Sequence, residues 1–259
     1  FMSINNLDFG EHIEFYVKKK FGIITLDRIQ RSNAFTQVLL EQLQKAIEYC
    51  QNEIKIRGLI LTNNGSSFST GMDLDAIDGS DHFAVKKLEG TAADICKLLF
   101  NGKPAICAIN GRTLGEGVVF SICCDYRIAV KNSFFQMPEI FSGIFPGTGC
   151  LILFSKIIGI PWTKKMLMFS EKISAIKALE IGLIDQIVDT KDQLIEESMK
   201  KARFLFSKNQ TVLQAIKLCS NHFLDKSYNN AYEIEKIASG WYEHEDKVKF
   251  IQKFKKNFE

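Results

Sequence analysis

Two segments of this chain follow the same order, and that order restricts the fold more than any other feature of the sequence. In each segment an apolar run is followed by a glycine-containing turn and then by a helix-like stretch: residues 58–61 lead into 66–74, and residues 104–109 lead into 110–117. Short apolar runs bounded by turn residues are typical of buried strands. Strands that alternate with helices in this way predict an α/β domain.

The rest of the chain fits one core with a helical end. Residues 12–18 and 22–27 are two short strand-like runs separated by three lysines, which predicts a hairpin with a charged turn. After about Gly143 the apolar spacing becomes mostly helical. We therefore predict a core over residues 1–200 and a helical region over residues 201–259.

Composition excludes several classes of protein. The chain has 259 residues, 46% of them hydrophobic, and no apolar run of about eighteen residues that would span a membrane. The 33 basic and 30 acidic residues nearly balance, so a nucleic-acid surface is not predicted. Seven cysteines without a C-x-x-C pair are typical of reduced thiols, and the polar segment from Ser3 to Glu11 is unlike a secretory signal. We expect a cytoplasmic protein, with an organellar origin left open.

The two glycine-containing turns are candidates for anion binding. A glycine allows positive φ, and the N–H groups that open a following helix have no partner within that helix. Two such turns that face each other would form an oxyanion hole, in which backbone N–H groups stabilise a developing negative charge. Taken alone, each turn is equally compatible with an ordinary connection between a strand and a helix.

The ordered set of motifs resembles the crotonase superfamily, and the resemblance covers nearly the whole chain. The turns are similar to that family's two oxyanion loops, and the motifs between and after them occur in the family's order. The matching segments are LDR with NAF (26–28, 33–35), FSTGMDL (68–74), NGRTLGEG (110–117), CDYRIA (124–129), PE (138–139), PGTG (146–149) and ISA with ALEIGLID (173–175, 178–185).

This resemblance implies a fold and a class of reaction. The fold would be a spiral of ββα units, with C-terminal helices that pack between subunits in a homotrimer or a dimer of trimers. The activity would be fatty-acid chemistry on an acyl-CoA thioester, whose enolate is stabilised in the oxyanion hole. No metal or separate cofactor is expected, because coenzyme A is part of the substrate.

The resemblance also implies roles for individual residues. The backbone N–H groups of Met72 and Glu116 would hold the thioester oxygen, and Glu139 would be the catalytic carboxylate. Asp73 would also serve the start of a helix, and Arg28 and Arg31 are weaker candidates for phosphate contacts. The residues expected to line the path of the CoA thioester are Ser69, Thr70, Gly71, Met72, Asp73, Leu74 and Gly115, with Phe250 and Lys253 near the nucleotide.

The choice of reaction depends on the number of glutamates. Hydratases of this family use two, but here Val119 occupies the position of the first and only Glu139 matches the second. A valine cannot orient or deprotonate water. One carboxylate suffices to move a double bond from the 3,4 to the 2,3 position, so isomerisation of Δ3-enoyl-CoA to Δ2-enoyl-CoA is the leading prediction. Gly147 argues against family members that carry an acid at that position.

Glu116 is the departure that keeps other reactions open. The family usually has a small or apolar residue between the two glycines, Gly115 and Gly117. We expect the Glu116 side chain to point away as a helix-start group; if it enters the pocket, enoyl-CoA hydration becomes an alternative. A catalytically silent acyl-CoA-binding member is the remaining hypothesis. Aromatic residues Phe83, Phe120 and Phe141 are predicted to line an apolar pocket.

Overall fold

The computed structural model describes residues 7–77 and 82–221 and contains a large, mostly parallel sheet. Its strands run in the order β1-β2-β3-β5-β7-β10, with an antiparallel hairpin of β1 and β2 at one edge and parallel pairing across the rest. No helix in the described ranges is long and apolar enough to cross a membrane. The strands are β1 (Ile13–Lys18), β2 (Phe21–Leu26), β3 (Gly58–Asn63), β5 (Ala105–Ile109), β7 (Tyr126–Val130) and β10 (Gln186–Val188).

A second sheet is small and positions the candidate site. Its order is β4-β6-β8-β9, in which β4, β6 and β8 are parallel and β9 is antiparallel to β8. Because the first three strands are parallel, the turns that follow them leave the sheet at the same edge. These strands are β4 (Ser67–Ser69), β6 (Arg112–Leu114), β8 (Phe134–Gln136) and β9 (Ile173–Ser174).

Helices cover both faces of the large sheet. The first helix begins after Thr36, whose side chain accepts a hydrogen bond from the N–H of Leu39, and it buries an apolar face that includes Leu43 and Ile47. The helices are α1 (Gln37–Asn52), α2 (Leu74–Ile77), α3 (His82–Asn101), α4 (Glu116–Ile122), α5 (Cys150–Ile157), α6 (Gly159–Met168), α7 (Ala175–Glu180) and α8 (Lys191–Phe206), followed by a helix over residues 210–221.

The chain repeats a unit of two strands and a helix. β1, β2 and α1 form the first unit; the second contains β3, β4 and α3, and the third contains β5, β6 and α4. In the later units one strand joins the large sheet and the next joins the small sheet. The predicted α/β class and the ββα units are therefore confirmed.

The predicted division of the chain remains a prediction. Helix α8 crosses residue 200, where we drew the boundary, and packs its apolar face on strands of the large sheet through Leu194, Met199 and Ala202. Only residues up to 221 of the second part are described. Within that part, buried Lys217 donates hydrogen bonds to the Leu99 and Lys103 carbonyl oxygens and pairs with Asp125, so this segment is fastened to the core.

Candidate functional site

Three turns converge where β4, β6 and β8 end. The turn after β4 contains Gly71, the turn after β6 contains Gly115, and the segment after β8 leads to Glu139. A Cβ placed on Gly71 would lie 3.1 Å from the Leu114 carbonyl oxygen and 3.5 Å from the Glu116 nitrogen. The two glycine turns are therefore in contact, as the paired-loop prediction required.

This contact depends on two glycines. Gly71 has a φ of 82°, and Gly115 has a φ of 51° with a ψ of −125°, a combination that side-chain-bearing residues rarely adopt. A Cβ on Gly115 would also lie 2.6 Å from Oε1 of Glu139, which is closer than real Cβ contacts. Gly115 therefore serves both the path of the backbone and the close approach of the Glu139 carboxylate.

The backbone N–H groups of Met72 and Glu116 flank the point of contact. Glu116 is the first residue of α4, so its N–H has no partner within the helix. Met72 pairs with Phe35 in an isolated bridge, but the bonds of that bridge use the Gly71 carbonyl and the N–H of Asp73. Within the described ranges neither N–H has a protein acceptor. Two N–H groups beside one cavity are candidate donors of an oxyanion hole.

Glu139 lies beside these donors. It opens a short 3-10 turn, Glu139–Ser142, and its Oε2 atom is shielded from solvent without a hydrogen-bond partner among the described residues. Burial raises the pKa of Glu139 to about 7, although its own backbone N–H partly offsets the rise. A carboxylate that titrates near neutral pH suits a group that takes up and releases a proton.

The side chain of Glu116 enters the cavity, so the predicted outward orientation is wrong. The residue is only 8% exposed, and its carboxylate accepts hydrogen bonds from the Thr148 hydroxyl at 3.3 Å and the Cys96 thiol at 3.7 Å. Burial is the main cause that raises its pKa to about 8, and the nearby Glu139 charge adds to the rise. The donors Thr148 and Cys96 oppose it. The hydrogen bonds from Thr148 and Cys96 therefore decide the orientation of Glu116, because the interaction of an exposed carboxylate with the helix dipole stabilises only modestly.

The cavity has a volume of about 570 Å³ and a mostly apolar wall. Val119 lies in this wall, three residues after Glu116 and therefore on the same face of α4. Besides Glu116 and Glu139, the lining contains the carboxylates of Asp73 and of Glu89 of α3. Apolar lining side chains are contributed by Met72, Leu74, Ile77, Val85, Leu88, Val119, Met137, Ile144 and Phe145.

The three phenylalanines predicted to line the pocket do not line it. Phe83 is 82% exposed and Phe141 is 47% exposed, whereas Phe120 is fully buried against Phe35. Although these residues are close to the motifs in sequence, their side chains face solvent or the core instead of the cavity. The apolar wall is built mainly from aliphatic side chains and from Phe145.

Most of the predicted thioester-binding residues lie in the wall of the cavity. Ser69 does not: it is fully buried, donates to the Asn33 carbonyl oxygen and accepts from the N–H of Gly71, so it supports the first turn from behind. Phe250 and Lys253 lie outside the described residues. Those found in the lining are Thr70, Gly71, Met72, Asp73, Leu74 and Gly115.

Asp73 caps the start of α2, as its position in the sequence predicted, and it also forms two ion pairs. Its carboxylate accepts from the N–H of Asp75 at the start of α2 and pairs with Arg28 at 2.7 Å and Arg31 at 3.2 Å. Arg28 also donates to the Ala34 carbonyl oxygen. Both arginines are thus engaged within the protein. Arg31 still lines the cavity with a half-exposed side chain, and Arg112 and Ser32 are also in the lining.

Comparisons with known proteins agree with this geometry. A family model described as enoyl-CoA hydratase/isomerase matches residues 17–259. The crotonyl-CoA hydratase of Syntrophomonas wolfei is 28% identical over 255 residues, covering 96% of this chain and 98% of that protein. The 2,3-dehydroadipyl-CoA hydratase of Escherichia coli is 31% identical over 196 residues, covering 75% of this chain and 76% of that protein.

Solved structures share the fold. A structure described as an enoyl-CoA hydratase from Bacillus halodurans superposes with a TM-score of 0.86 at 23% identity, covering 93% of this chain and 99% of that one. Another from Bacillus anthracis gives a TM-score of 0.78 at 26% identity, covering 95% and 97%. The crotonase-like fold inferred from the motifs is confirmed.

Proposed function

The chain belongs to the enoyl-CoA hydratase/isomerase family of acyl-CoA enzymes, and we propose that it adds water across the 2,3 double bond of 2-enoyl-CoA thioesters. The observation that carries this proposal is the inward side chain of Glu116. It provides, together with Glu139, two carboxylates in the wall of one cavity. Their charges influence each other, since the charge of Glu139 contributes to the raised pKa of Glu116.

Hydration needs one carboxylate in each protonation state. An ionised carboxylate takes a proton from the attacking water, whose oxygen bonds to C3, and a protonated carboxyl delivers its proton to C2. Burial raises the pKa of both carboxyls towards neutrality, so the pair can hold one proton near pH 7. We assign Glu139, whose Oε2 atom has no hydrogen-bond partner among the described residues, as the base towards water, and Glu116 as the acid towards C2.

The oxyanion donors support the same step. As the water oxygen bonds to C3, negative charge moves to the thioester oxygen, which would accept hydrogen bonds from the N–H groups of Met72 and Glu116. Fixed donors in a site that excludes water stabilise such a charge strongly, and the loss of one donor has cost about 2.7–4 kcal/mol in a studied enzyme. The apolar wall around Val119 and Leu88 excludes competing water from the acyl chain.

Isomerisation of Δ3-enoyl-CoA is the second candidate. Val119 makes the wall apolar at the position where hydratases of this family carry their first glutamate, and the Oε2 atom of Glu139 is buried without a partner in the described part of the chain. Glu139 alone would take a proton from C2 and return it at C4. This reaction has no need of Glu116, so the two candidates differ in their dependence on that side chain.

Two substrates separate these candidates. The purified wild-type enzyme is incubated with crotonyl-CoA and, separately, with a 3-enoyl-CoA, and the conjugated thioester absorbance is followed. Hydration predicts loss of absorbance with crotonyl-CoA. A gain with 3-enoyl-CoA and no change with crotonyl-CoA would refute the proposal in favour of isomerisation. Tight CoA binding with no turnover of either substrate would indicate a catalytically silent member.

Assembly as a homotrimer or a dimer of trimers is part of the same proposal. It rests on the family resemblance, in which C-terminal helices pack between subunits. The mass of one chain is 29.4 kDa. Light scattering coupled to gel filtration should give three or six times that mass, and a monomer at micromolar concentration would contradict the assembly.

A further inference from the structure

The Glu116 carboxylate is held from two sides by elements that are distant in sequence. Cys96 belongs to α3, and Thr148 lies in the turn before α5, which begins after Gly149. Both α3 and α5 pack against α4. Each carboxylate oxygen of Glu116 faces one donor, with Oε1 towards the Cys96 thiol and Oε2 towards the Thr148 hydroxyl. The side chain therefore spans the space between two elements.

We propose that Thr148 and Cys96 are positioning residues that keep the Glu116 carboxyl inside the cavity and stabilise the carboxylate left after its proton is delivered. The inference rests on the proposed function, in which Glu116 is the acid. A hydroxyl is a stronger donor than a thiol, so Thr148 carries the larger share. Neither residue touches the substrate in this role.

The surroundings of Glu116 explain why these donors are needed. Burial and the carboxylates of Glu139 and Glu89 all favour the protonated form of Glu116. The groups that influence the Cys96 thiol besides Glu116 are the buried thiols of Cys123 and Cys150, and all three raise the pKa of Cys96, as burial does. Without Thr148 and Cys96, the proton on Glu116 would be held too tightly for delivery to C2. The two donors oppose that tendency from within the protein.

The distances fit a contact that tightens during the reaction. The Thr148 contact of 3.3 Å is longer than the roughly 2.5–2.7 Å of an O–H donor on an ionised carboxylate. Catalytic hydrogen bonds are often long in ligand-free proteins and shorten in the transition-state complex. The hydroxyl is therefore already aimed at the oxygen that becomes charged when the proton leaves.

The test measures the titration of Glu116 directly. Infrared difference spectra of the substrate-free enzyme record the carboxyl band as a function of pH, and the band of Glu116 is assigned by its loss in Glu116→Gln. Thr148→Val keeps the shape but removes the hydroxyl, and Thr148→Ser restores a hydroxyl. Removal of a hydrogen bond to a charged group should raise the pKa of Glu116 by about one unit in Thr148→Val and leave it near wild type in Thr148→Ser. Cys96→Ala should give a smaller rise, which Cys96→Ser should reverse.

The control is Thr163→Val. Thr163 is equally buried, but its hydroxyl donates to the Gly159 carbonyl oxygen within α6 and does not line the cavity. Its substitution should leave the Glu116 band unchanged. An unchanged pKa in a folded Thr148→Val protein overturns the inference, and so does an equal shift in Thr163→Val.

Activity provides an independent measurement. If the wild type hydrates crotonyl-CoA, the alkaline limb of its pH profile should move to higher pH by about one unit in Thr148→Val, in step with the infrared titration. If the wild type fails to hydrate crotonyl-CoA, the proposed function is refuted and the role in catalysis falls with it. If the titration shifts but the enzyme does not hydrate crotonyl-CoA, the proposed function is wrong and the hydrogen bonds to Glu116 stand. If the enzyme hydrates crotonyl-CoA but the titration does not shift, the positioning role of Thr148 is wrong and the proposed function stands.

Discussion

Substitution of Gly115 by alanine tests the geometry of the site more severely than removal of a side chain. Gly115 has a φ of 51°, and its added Cβ would lie 2.6 Å from Oε1 of Glu139 and 3.6 Å from the Gly71 Cα. Real Cβ atoms essentially never have a contact shorter than 3.0 Å, and ordinary van der Waals contact begins at 3.4 Å. The Glu139 carboxylate must therefore retreat by roughly 0.4–0.8 Å or the turn must open, and a displacement of this order at a reacting group costs about 10²-fold in rate.

The same substitution also strains the backbone. A residue with a side chain at this φ and ψ costs about 1–3 kcal/mol of stability. We therefore expect Gly115→Ala to lose about 100-fold in kcat for crotonyl-CoA hydration and to unfold at a lower temperature. The loss of kcat should far exceed what the small stability change predicts, because most of the protein stays folded at the assay temperature.

A second glycine gives the matched control. Gly90 lies within α3, and an added Cβ would meet no atom within 4 Å. Gly90→Ala should therefore raise stability by about 0.5–1 kcal/mol, since alanine favours a helix interior, and should leave kcat within twofold of wild type. If Gly115→Ala retains wild-type kcat, or if both variants lose activity equally, the close approach of Glu139 to this turn is not important for the reaction.

Three further predictions concern stability. Asp73→Ala removes a buried carboxylate that pairs with partly exposed Arg28 and should lower the free energy of unfolding in urea by about 2 kcal/mol, whereas a loss below about 1 kcal/mol would mean that the ion pair contributes little. Lys217→Met leaves the Leu99 and Lys103 carbonyl oxygens without their donor, whereas Asp125 stays one-third exposed and keeps its hydrogen bond from the Ala105 N–H; the cost should be about 1–2 kcal/mol by the same measurement. Lys200→Met, at an exposed side chain, should change stability by less than about 0.5 kcal/mol. The folded pKa of Glu139, about 7, lies above the ordinary value of 4.5, so the folded state holds a proton that the unfolded state releases; stability should fall as pH rises from about 4.5 to 7, by roughly 3 kcal/mol from this group. Glu139→Gln should remove the share of the decline that comes from this carboxyl and leave the share of Glu116, whose pKa is also raised; an unchanged slope would show that the Glu139 carboxyl is not buried as described.

The strands of the large sheet were predictable because they are apolar runs of several residues bounded by turn residues. The runs predicted over residues 12–18, 22–27, 58–61 and 104–109 become β1, β2, β3 and β5, with ends that differ by at most two residues. The small sheet was not predicted. Its strands contain two or three residues each, too few to show an alternation of apolar and polar side chains.

The candidate site was predictable at its backbone and not at its side chains. Glycines at residues 71 and 115 indicate turns by their chemistry, and the motif order brings them together. The orientation of Glu116 depends on donors 20 and 32 residues away in sequence, Cys96 and Thr148, which no local pattern connects to it. PGTG (146–149) was recognised as a family motif, but nothing in it indicated that its threonine would face a carboxylate.

The positions of the aromatic side chains could not be predicted for a related reason. Phe83 and Phe141 are near the motifs in sequence, but burial depends on which face of a helix or turn meets another element. Phe120 was predicted to line the pocket, but it packs on the side of α4 that faces Phe35 and the core instead of the cavity.

The most direct test of the account is the activity of Glu116→Gln on two substrates. Glutamine keeps the size of the side chain and can accept one of its two hydrogen bonds, but it cannot deliver a proton. The account predicts that crotonyl-CoA hydration falls by at least about 10²-fold, the usual contribution of a general acid, in a protein that unfolds at the wild-type temperature or above. Glu139→Gln should lose hydration as well. Hydration by Glu116→Gln at the wild-type rate would contradict the central claim that the inward glutamate of α4 completes the catalytic pair.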